Sequence, residues 1–294
     1  RPPDVVGRIR QLLAALTGFR HPRGAIAPTS DRAHQRTALA VTDRTMKAVI
    51  LAAGYDPRLR PHVDRTPKTL VDVAGTPILA RTLSLLVRAG VDQVVIVVGH
   101  LREQVRAEVA QRFPELDVTF VDNLAYRNTS TAASLALARP HVDGQAFFLI
   151  DGDVVFDAGV LTRLFEGGPD ALAVRSVGSL GLEEVKVASD ASDRVVAIGK
   201  QVPVRGAMGE SIGMALLSAS TSRRLFAALA ARPHADLYYE AVLQELVDGG
   251  VDLHAVDIGS LYACEIDTPD DLRAADAELR TLPAADSGQW RLAV

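Results

Sequence analysis

Short apolar runs alternate along this chain with segments in which apolar residues recur every three or four positions. Runs rich in Val and Ile are typical of strands buried on both faces of a parallel sheet, and the longer spacing predicts amphipathic helices. In the first half, strands are predicted over residues 48–53, 94–98, 118–121 and 146–150. Helices are predicted over residues 101–113 and 131–138, and a further helix after Thr76, with Thr76 as its cap and Pro77 at its first position. This alternation predicts a layered α/β sheet.

The second half has shorter apolar runs joined by polar turns. Its predicted strands cover residues 172–177, 185–188, 194–198, 211–217, 253–256 and 262–266, with a hairpin turn at 190–193. Helices are predicted over residues 220–231, 236–248 and 268–279, the last capped by Thr268 with Pro269 in its first turn. We expect this half to lay a substrate-binding platform over the first half.

The residues before Met46 differ in character from the rest. An amphipathic helix is predicted over residues 4–19 and a flexible linker over residues 20–45. The whole segment is interpreted either as a tether or basic arm, or as an extension without a role upstream of a natural start at Met46. This segment has eight Arg and three Asp and therefore a net charge of +5. Because the net charge of the whole chain is −4, the remainder carries −9. An acidic body argues against a nucleic-acid-binding surface.

Composition limits the class of protein. A chain of 294 residues that is 48% hydrophobic can form one main α/β domain, which we assign to residues 46–282, with a tail at 283–294. The single cysteine, Cys264, excludes an internal disulfide framework and a cysteine-based zinc site and suits a reducing cytoplasm. No apolar run is long enough for a membrane span, so we expect a soluble cytoplasmic protein, with a homodimer as one possible assembly.

The chemistry is predicted where the first strand ends. A glycine at a strand's carboxyl end leaves room for a ligand to approach backbone amides. Arg58 and Lys68 follow, one a planar fork and the other a mobile point charge, a combination suited to a polyphosphate. We therefore predict a triphosphate cradle whose backbone contacts are Leu51, Ala52, Ala53 and Gly54.

Two aspartates, Asp151 and Asp153, stand just beyond the apolar strand at 146–150. Ligands bind at the carboxyl ends of strands in open α/β sheets. A divalent metal commonly neutralises the charge of a bound triphosphate, and carboxylates at strand ends are natural ligands for such a metal. Asp153 is the predicted metal ligand and Asp151 a predicted nucleotide contact.

The stretch LAAGYDPRLRP, followed by TPKTLVDVAGTPIL, resembles the signature of the sugar-phosphate nucleotidyltransferases, which carry a MobA-like NTP transferase domain. The resemblance implies a Rossmann-like, three-layer α/β/α (GT-A-like) fold with a mixed, mostly parallel central sheet. It also implies catalytic roles for Arg58 and Lys68 and a Mg²⁺ ion on Asp153. The chain departs from the signature at Asp56 and Pro57, where the family usually has a second glycine and a small hydroxyl residue. A carboxylate of Asp56 facing the phosphates would favour a module that binds nucleotide without turnover.

A second segment, EIDTPDDL, resembles the family's terminal EIDTPEDL segment, in which the aspartate before Thr-Pro completes the metal site. That residue is Asp267 here. The alternative is an ordinary helix cap, since Thr268, Asp270 and Asp271 suit capping and the helix dipole.

The nucleobase is expected at NLAYRNTSTAASLAL, residues 123–137, whose polar cluster opens a predicted helix. The cluster resembles the branch of bacterial phosphocholine, inositol-phosphate and phosphonate cytidylyltransferases, which implies CTP as the nucleotide. The predicted contacts are Asn128, Thr129, Ser130 and Ser134.

The acceptor is expected on the second half, whose motifs EEVKV, RVVAIGK and GESIG resemble the same branch. The predicted acceptor contacts are Lys186, Lys200, Glu210, Tyr239 and Glu240. Aromatic residues make up only 5% of the chain, too few for a convincing choline cage, which favours an aminoalkylphosphonate or polyol phosphate over phosphocholine.

The expected reaction is therefore transfer of CMP from CTP to a phosphorylated or phosphonylated small molecule, with Mg²⁺ and release of pyrophosphate. The alternatives are a sugar-1-phosphate nucleotidylyltransferase using UTP, GTP or dTTP, and a regulatory nucleotide-binding module. A dinucleotide-binding oxidoreductase is disfavoured because no GxGxxG follows the first strand.

Overall fold

The computed structural model describes residues 46–176, 180–231 and 236–281. The expected helix at 4–19, the linker and the C-terminal tail lie outside the described residues. The strands are β1 (Met46–Ala52), β2 (Asp72–Val73), β3 (Thr76–Pro77), β4 (Val91–Val98), β5 (Asp117–Asp122), β6 (Phe147–Asp151), β7 (Val154–Phe156), β8 (Ala171–Arg175), β9 (Lys186–Ser189), β10 (Val195–Gly199), β11 (Gly209–Leu217), β12 (His254–Asp257) and β13 (Ala263–Glu265). The helices are α1 (Ile78–Arg88), α2 (Arg102–Arg112), α3 (Thr131–Leu137), α4 (Arg139–Val142), α5 (Gly159–Glu166), α6 (Ala219–Ala231), α7 (Tyr239–Asp248) and α8 (Pro269–Leu279).

One mixed sheet organises the chain. Its strand order is β10-β9-β11-β6-β1-β4-β5, and β8 pairs with both β11 and β12. The four strands β6, β1, β4 and β5 are parallel, and β11 runs antiparallel to β6, β8 and β9. The expected mixed sheet is confirmed. The expectation of a platform over the first half is wrong, because β11 pairs with β6 and the second-half strands extend the same sheet.

Helices cover both faces of this sheet. Successive residues of β1 point to opposite faces: Ala48 and Ile50 join a core with α1, α2 and α5, whereas Val49 and Leu51 join a core with α3, α6 and α7. The near-continuous apolar sequence of β1 follows from this double burial. The expected three-layer α/β/α arrangement is therefore confirmed.

A smaller apolar cluster lies beneath the loop that follows β1. Leu59 and Val63 from the loop pack there with Ile266 and Leu279 from the C-terminal region, and Val155 of β7 completes the contact. This packing holds the loop after β1 against α8 and the segment just before it, although the two regions are far apart in sequence.

Local details differ from the sequence predictions in a few places. Thr76 does not cap α1; it pairs with Val73 in the β2–β3 hairpin, and Pro77 precedes the helix without a side-chain cap. The cap predicted at Thr268 is confirmed as a full capping box with Asp271. α7 begins at Tyr239 rather than at residue 236, and α5 was not predicted. Among the described residues, no helix combines the length and apolar character needed to cross a membrane.

Candidate active site

The ends of β1 and β6 lie side by side, with Leu51 opposite Asp151. The Gly152 N–H donates to the Leu51 carbonyl at 3.0 Å. A Cβ at position 152 would lie 2.6 Å from that oxygen, so only glycine allows the chain to turn this close to β1. Leu51, Ala52 and Ala53 are buried, whereas Gly54 is exposed, with no atom within 4 Å of a Cβ built on it. The predicted cradle is therefore open at Gly54.

Lys68 is the centre of the site. Its Nζ lies 2.6 Å from Asp153 Oδ2 and 2.6 Å from Asp267 Oδ1, and only 11% of its side chain is exposed. Burial would lower the pKa of Lys68, but the two carboxylates outweigh burial and raise it above its ordinary value. The ammonium is thus firmly protonated. It links Asp153 and Asp267, to which the resemblance gives separate places in the sequence.

The capping box at α8 fixes the position of Asp267. The Asp271 carboxylate accepts from the Thr268 N–H at 2.7 Å and from the Asp267 N–H at 3.2 Å. Capping is therefore done by Thr268 and Asp271, and the carboxylate of Asp267 is left to face Lys68. The cap prediction for this segment is confirmed for Thr268 and Asp271, and Asp267 stays a predicted metal ligand.

Arg58 completes the cationic side. Its Nη2 lies 3.0 Å from Asp267 Oδ2, and 56% of its side chain is exposed. Asp56 points inward, toward the cations: its carboxylate accepts from Arg58 at 2.6 Å and its Oδ2 is 3.7 Å from Lys68 Nζ. The hydrogen bonds with Asp56 raise the pKa of Arg58.

The described residues contain no group of three His, Cys, Asp or Glu side chains placed to hold a metal ion. A complete protein cage is not what Mg²⁺ needs, since it is commonly bound by one or two carboxylates together with substrate phosphates and water. Asp153 and Asp267 already hold a cation between them, the Lys68 ammonium. These two residues therefore fit a divalent ion that is completed by phosphate oxygens.

A second group of acids, Asp151, Glu240 and Glu265, lies close to Asp153 and is called the buried acid cluster. Glu240 is 7% exposed, and burial raises its pKa to about 7. Burial, followed by the nearby charge of Glu240, raises the pKa of Asp151 well above its ordinary value, and burial with Asp153 does the same for Glu265. The Tyr239 hydroxyl donates to Asp151 at 3.3 Å. Asp151 Oδ1 and Glu240 Oε2 have no hydrogen-bond partner, which is costly for buried oxygens.

The predicted base-binding cluster is organised by a residue that the sequence analysis did not select. Asn123, just after β5, donates to Thr129 Oγ1 at 3.0 Å and to Ser134 Oγ at 2.9 Å. Asn128 is exposed, and Ser130 precedes α3 without making a side-chain cap. The cluster does lie at the carboxyl ends of β4 and β5, since the Asn123 N–H donates to the Val98 carbonyl.

An aromatic and cationic group beside the loop was also missed. The Tyr55 and His100 rings lie 4.8 Å apart, and the Arg127 guanidinium is 5.9 Å from the Tyr55 centroid and 5.4 Å from that of Tyr126. Each of these residues follows closely on a strand of the parallel set. Their shared position, just after these strands, is the sequence pattern from which this group could have been predicted.

On the acceptor side, the predicted residues are not equivalent. Lys186 is fully buried and donates to the Glu184 carbonyl at 2.9 Å and the Gly181 carbonyl at 3.3 Å, which argues against a role in holding a phosphate. Glu210 forms a 2.7 Å ion pair with Arg175. Lys200 remains 41% exposed. Tyr239 and Glu240 belong to the buried acid cluster.

The fold and site define the class of protein: an α/β nucleotidyltransferase fold with cations and carboxylates at its strand ends. A solved structure, the inositol-1-phosphate CTP transferase from T. maritima, matches with a TM-score of 0.67 at 24% identity, over 80% of this chain and 97% of that one. The chain belongs to the MobA-like NTP transferase domain family, whose model matches residues 48–246.

Two relatives share more of the sequence. CMP-5'-(3-aminopropyl)phosphonate synthase from Streptomyces rubellomurinus is 37% identical over 85% of this chain, and the match spans only 42% of that protein's length. The 2-aminoethylphosphonate cytidylyltransferase of Lancefieldella rimae is 28% identical over 78% of this chain and 91% of its own length.

Proposed function

We propose that this chain transfers CMP from CTP to an aminoalkylphosphonate, or a closely related phosphorylated acceptor, and releases pyrophosphate. The observation that carries the proposal is the Lys68 ammonium held between Asp153 and Asp267. A cation from the loop after β1 and two carboxylates, one after β6 and one after β13, supply both charges that a metal–triphosphate complex requires. The names of the two relatives support CTP and a phosphonate as the substrates.

In the proposed reaction, an anionic oxygen of the acceptor attacks the α-phosphorus of CTP in line. A new phosphorus–oxygen bond forms, the α–β bridging bond breaks, and pyrophosphate leaves with its electron pair. No general base is needed because the attacking oxygen is already deprotonated at neutral pH. Arg58, with most of its side chain exposed, and Lys68 hold the phosphates and offset their charge.

Asp153 and Asp267 would hold the divalent ion, which we propose to be Mg²⁺. When bound, it supplies positive charge to the α-phosphate and the leaving pyrophosphate. Carboxylate and phosphate oxygens suit Mg²⁺ or Mn²⁺. We also propose that the enzyme works in the cytoplasm, with residues 46–282 as its catalytic domain.

The buried acid cluster supports an acceptor that carries an amine. Glu240 and Asp151 each keep a buried oxygen without a hydrogen-bond partner, and an acceptor ammonium that reached them would donate to these oxygens and favour the charged forms of the two acids. Glu265 adds a third carboxyl group close to them. A polyol acceptor offers no positive charge that would favour the charged forms of these acids.

The test is a screen of CTP, UTP, GTP and dTTP against matched acceptors with Mg²⁺, read by pyrophosphate release and phosphorus NMR of the product. Aminoethylphosphonate and aminopropylphosphonate are compared with ethylphosphonate and propylphosphonate, which lack only the amine. We expect CTP with the amino acceptors to give the highest kcat/KM. Preference for a sugar 1-phosphate, or for another nucleotide, would refute the proposal.

The inward carboxylate of Asp56 favours a second candidate, a module that binds nucleotide without turning it over. Calorimetric binding of CTP, with no pyrophosphate from any acceptor in the screen, would support this candidate.

A further inference from the structure

Asp56 lies in the loop after β1, and all four hydrogen bonds that its carboxylate accepts come from Arg58. Oδ1 accepts from the Arg58 backbone N–H at 2.9 Å and from Arg58 Nε at 3.1 Å. Oδ2 accepts from Nε at 3.0 Å and from Nη2 at 2.6 Å. The same side chain therefore caps the short turn Pro57–Leu59 and orients the guanidinium.

An acid in this place is expected to repel the triphosphate. The position and partners of the Asp56 carboxylate reduce most of this repulsion. Only 16% of the Asp56 side chain is exposed. Burial would raise the pKa of Asp56, but hydrogen bonds from Arg58 and the charge of Lys68 bring it below its ordinary value. A carboxylate whose charge is matched by a two-point contact with Arg presents little free negative charge to a ligand.

The consequence for Arg58 is a fixed orientation. Without Asp56, the exposed guanidinium would keep only its contact with Asp267, at 3.0 Å. A long side chain held at one point samples many rotamers, whereas a planar fork held along one edge does not. The contact with Asp56 thus keeps Arg58 beside Lys68 before any nucleotide binds.

We propose that Asp56 is a positioning residue: it holds Arg58 in the orientation in which the guanidinium meets the phosphates of the nucleotide. This inference rests on the proposed function, and it predicts that removing the acid harms catalysis rather than relieving repulsion.

The test compares Asp56→Ala, Asp56→Asn and Asp56→Glu with the wild type, each also in an Arg58→Ala background. Asn keeps an acceptor for the Arg58 backbone N–H, which guards against a loss of the turn itself. Asp64→Asn is the matched control, because Asp64 is a carboxylate on the next turn, paired with Arg60 and 48% exposed. The readouts are kcat and KM for transfer, and calorimetric Kd values for Mg–CTP and for pyrophosphate, which need no acceptor.

We expect Asp56→Ala to lower kcat/KM by about ten- to a hundredfold, mostly in kcat, as for a misplaced catalytic group. Asp56→Asn should fall between Ala and the wild type, and Asp64→Asn should stay within about twofold. In the Arg58→Ala background, the loss on Asp56→Ala should shrink to about twofold or less, since Asp56 acts through Arg58.

Tighter binding of CTP and pyrophosphate by Asp56→Asn, with transfer at least as fast as wild type, would overturn the inference. So would a loss on Asp56→Ala that is equally large without Arg58. If the wild type binds CTP but transfers nothing, the proposed function fails, and the two Kd values still decide the role of Asp56.

Discussion

Replacing Lys68 by Met should strengthen divalent metal binding while it impairs turnover. In the structure, the ammonium lies between Asp153 and Asp267, at 2.6 Å from each carboxylate, where we propose that the metal binds. Binding of a metal there would displace Lys68, and the variant removes this competitor.

The magnitude follows from the distances. Two oxygens that both contact one nitrogen at 2.6 Å are at most about 5 Å apart. At an effective dielectric constant of about 20, their mutual repulsion without Lys68 is about 3 kcal/mol. Solvent reduces this value, because 23% of Asp153 and 28% of Asp267 remain exposed. In Lys68→Met, a bound metal ion would relieve this repulsion. We therefore expect the variant to bind the metal about tenfold more tightly than the wild type, and no more than about a hundredfold.

The assay is Mn²⁺ binding followed by electron paramagnetic resonance without nucleotide, together with kcat for CMP transfer. Lys68→Met should lose about a hundredfold or more in kcat, because a charge that stabilises the transition state is gone. Lys47→Met is the control: Lys47 lies at the other end of β1 and donates to the His141 carbonyl. Mn²⁺ binding by Lys68→Met that equals or falls below that of the wild type would refute the reasoning.

Three further predictions concern stability. Burial raises the pKa of Glu240 from 4.5 to about 7, so the contribution of this residue to stability is full below pH 4.5 and is lost as the pH rises from there to about 7. Glu240→Gln should flatten this part of the decline in urea unfolding without metal, and an unchanged profile would contradict the burial argument. Gly213→Ala should cost more than Gly168→Ala in free energy of unfolding, by about 1–3 kcal/mol, since both glycines have positive φ but only a Cβ at 213 meets Asp151, at 2.6 Å from Oδ2. Equal costs would show that the contact is relieved. Thr268→Ala should cost about 1 kcal/mol by the same measurement through loss of the α8 cap, whereas Thr268→Ser should cost less.

Most of the fold could be predicted from the sequence because its central strands, such as β1 and β6, are buried on both faces. The run at β1 has no polar residue after Lys47, and its position and parallel partners follow from that pattern. Lys68, Asp153 and Asp267 could be named from their motifs, and the structure brings them together.

What could not be predicted depended on contacts between distant segments. Thr76 and Pro77 have the sequence of a helix start, but the short hairpin with β2 takes priority over it. The burial of Lys186 follows from carbonyls of its own loop, which no spacing reveals. The buried acid cluster forms because the end of β6, the start of α7 and the end of β13 are adjacent in the fold. Its members are spread over more than a hundred residues of sequence, so no local pattern predicts it.

The long strand β11 has a consequence for recombination between relatives. One part of it, Met214–Leu217, pairs with β6, and the other, Gly209–Glu210, pairs with β9, while β8 pairs along its opposite edge. A chimera that joined the nucleotide half of one enzyme to the acceptor half of another would place its new seam along β11 and β6, in the middle of the core. An exchange of acceptor preference should therefore succeed when only the loops and the start of α7 are transferred between relatives. The whole sheet should then come from one parent enzyme.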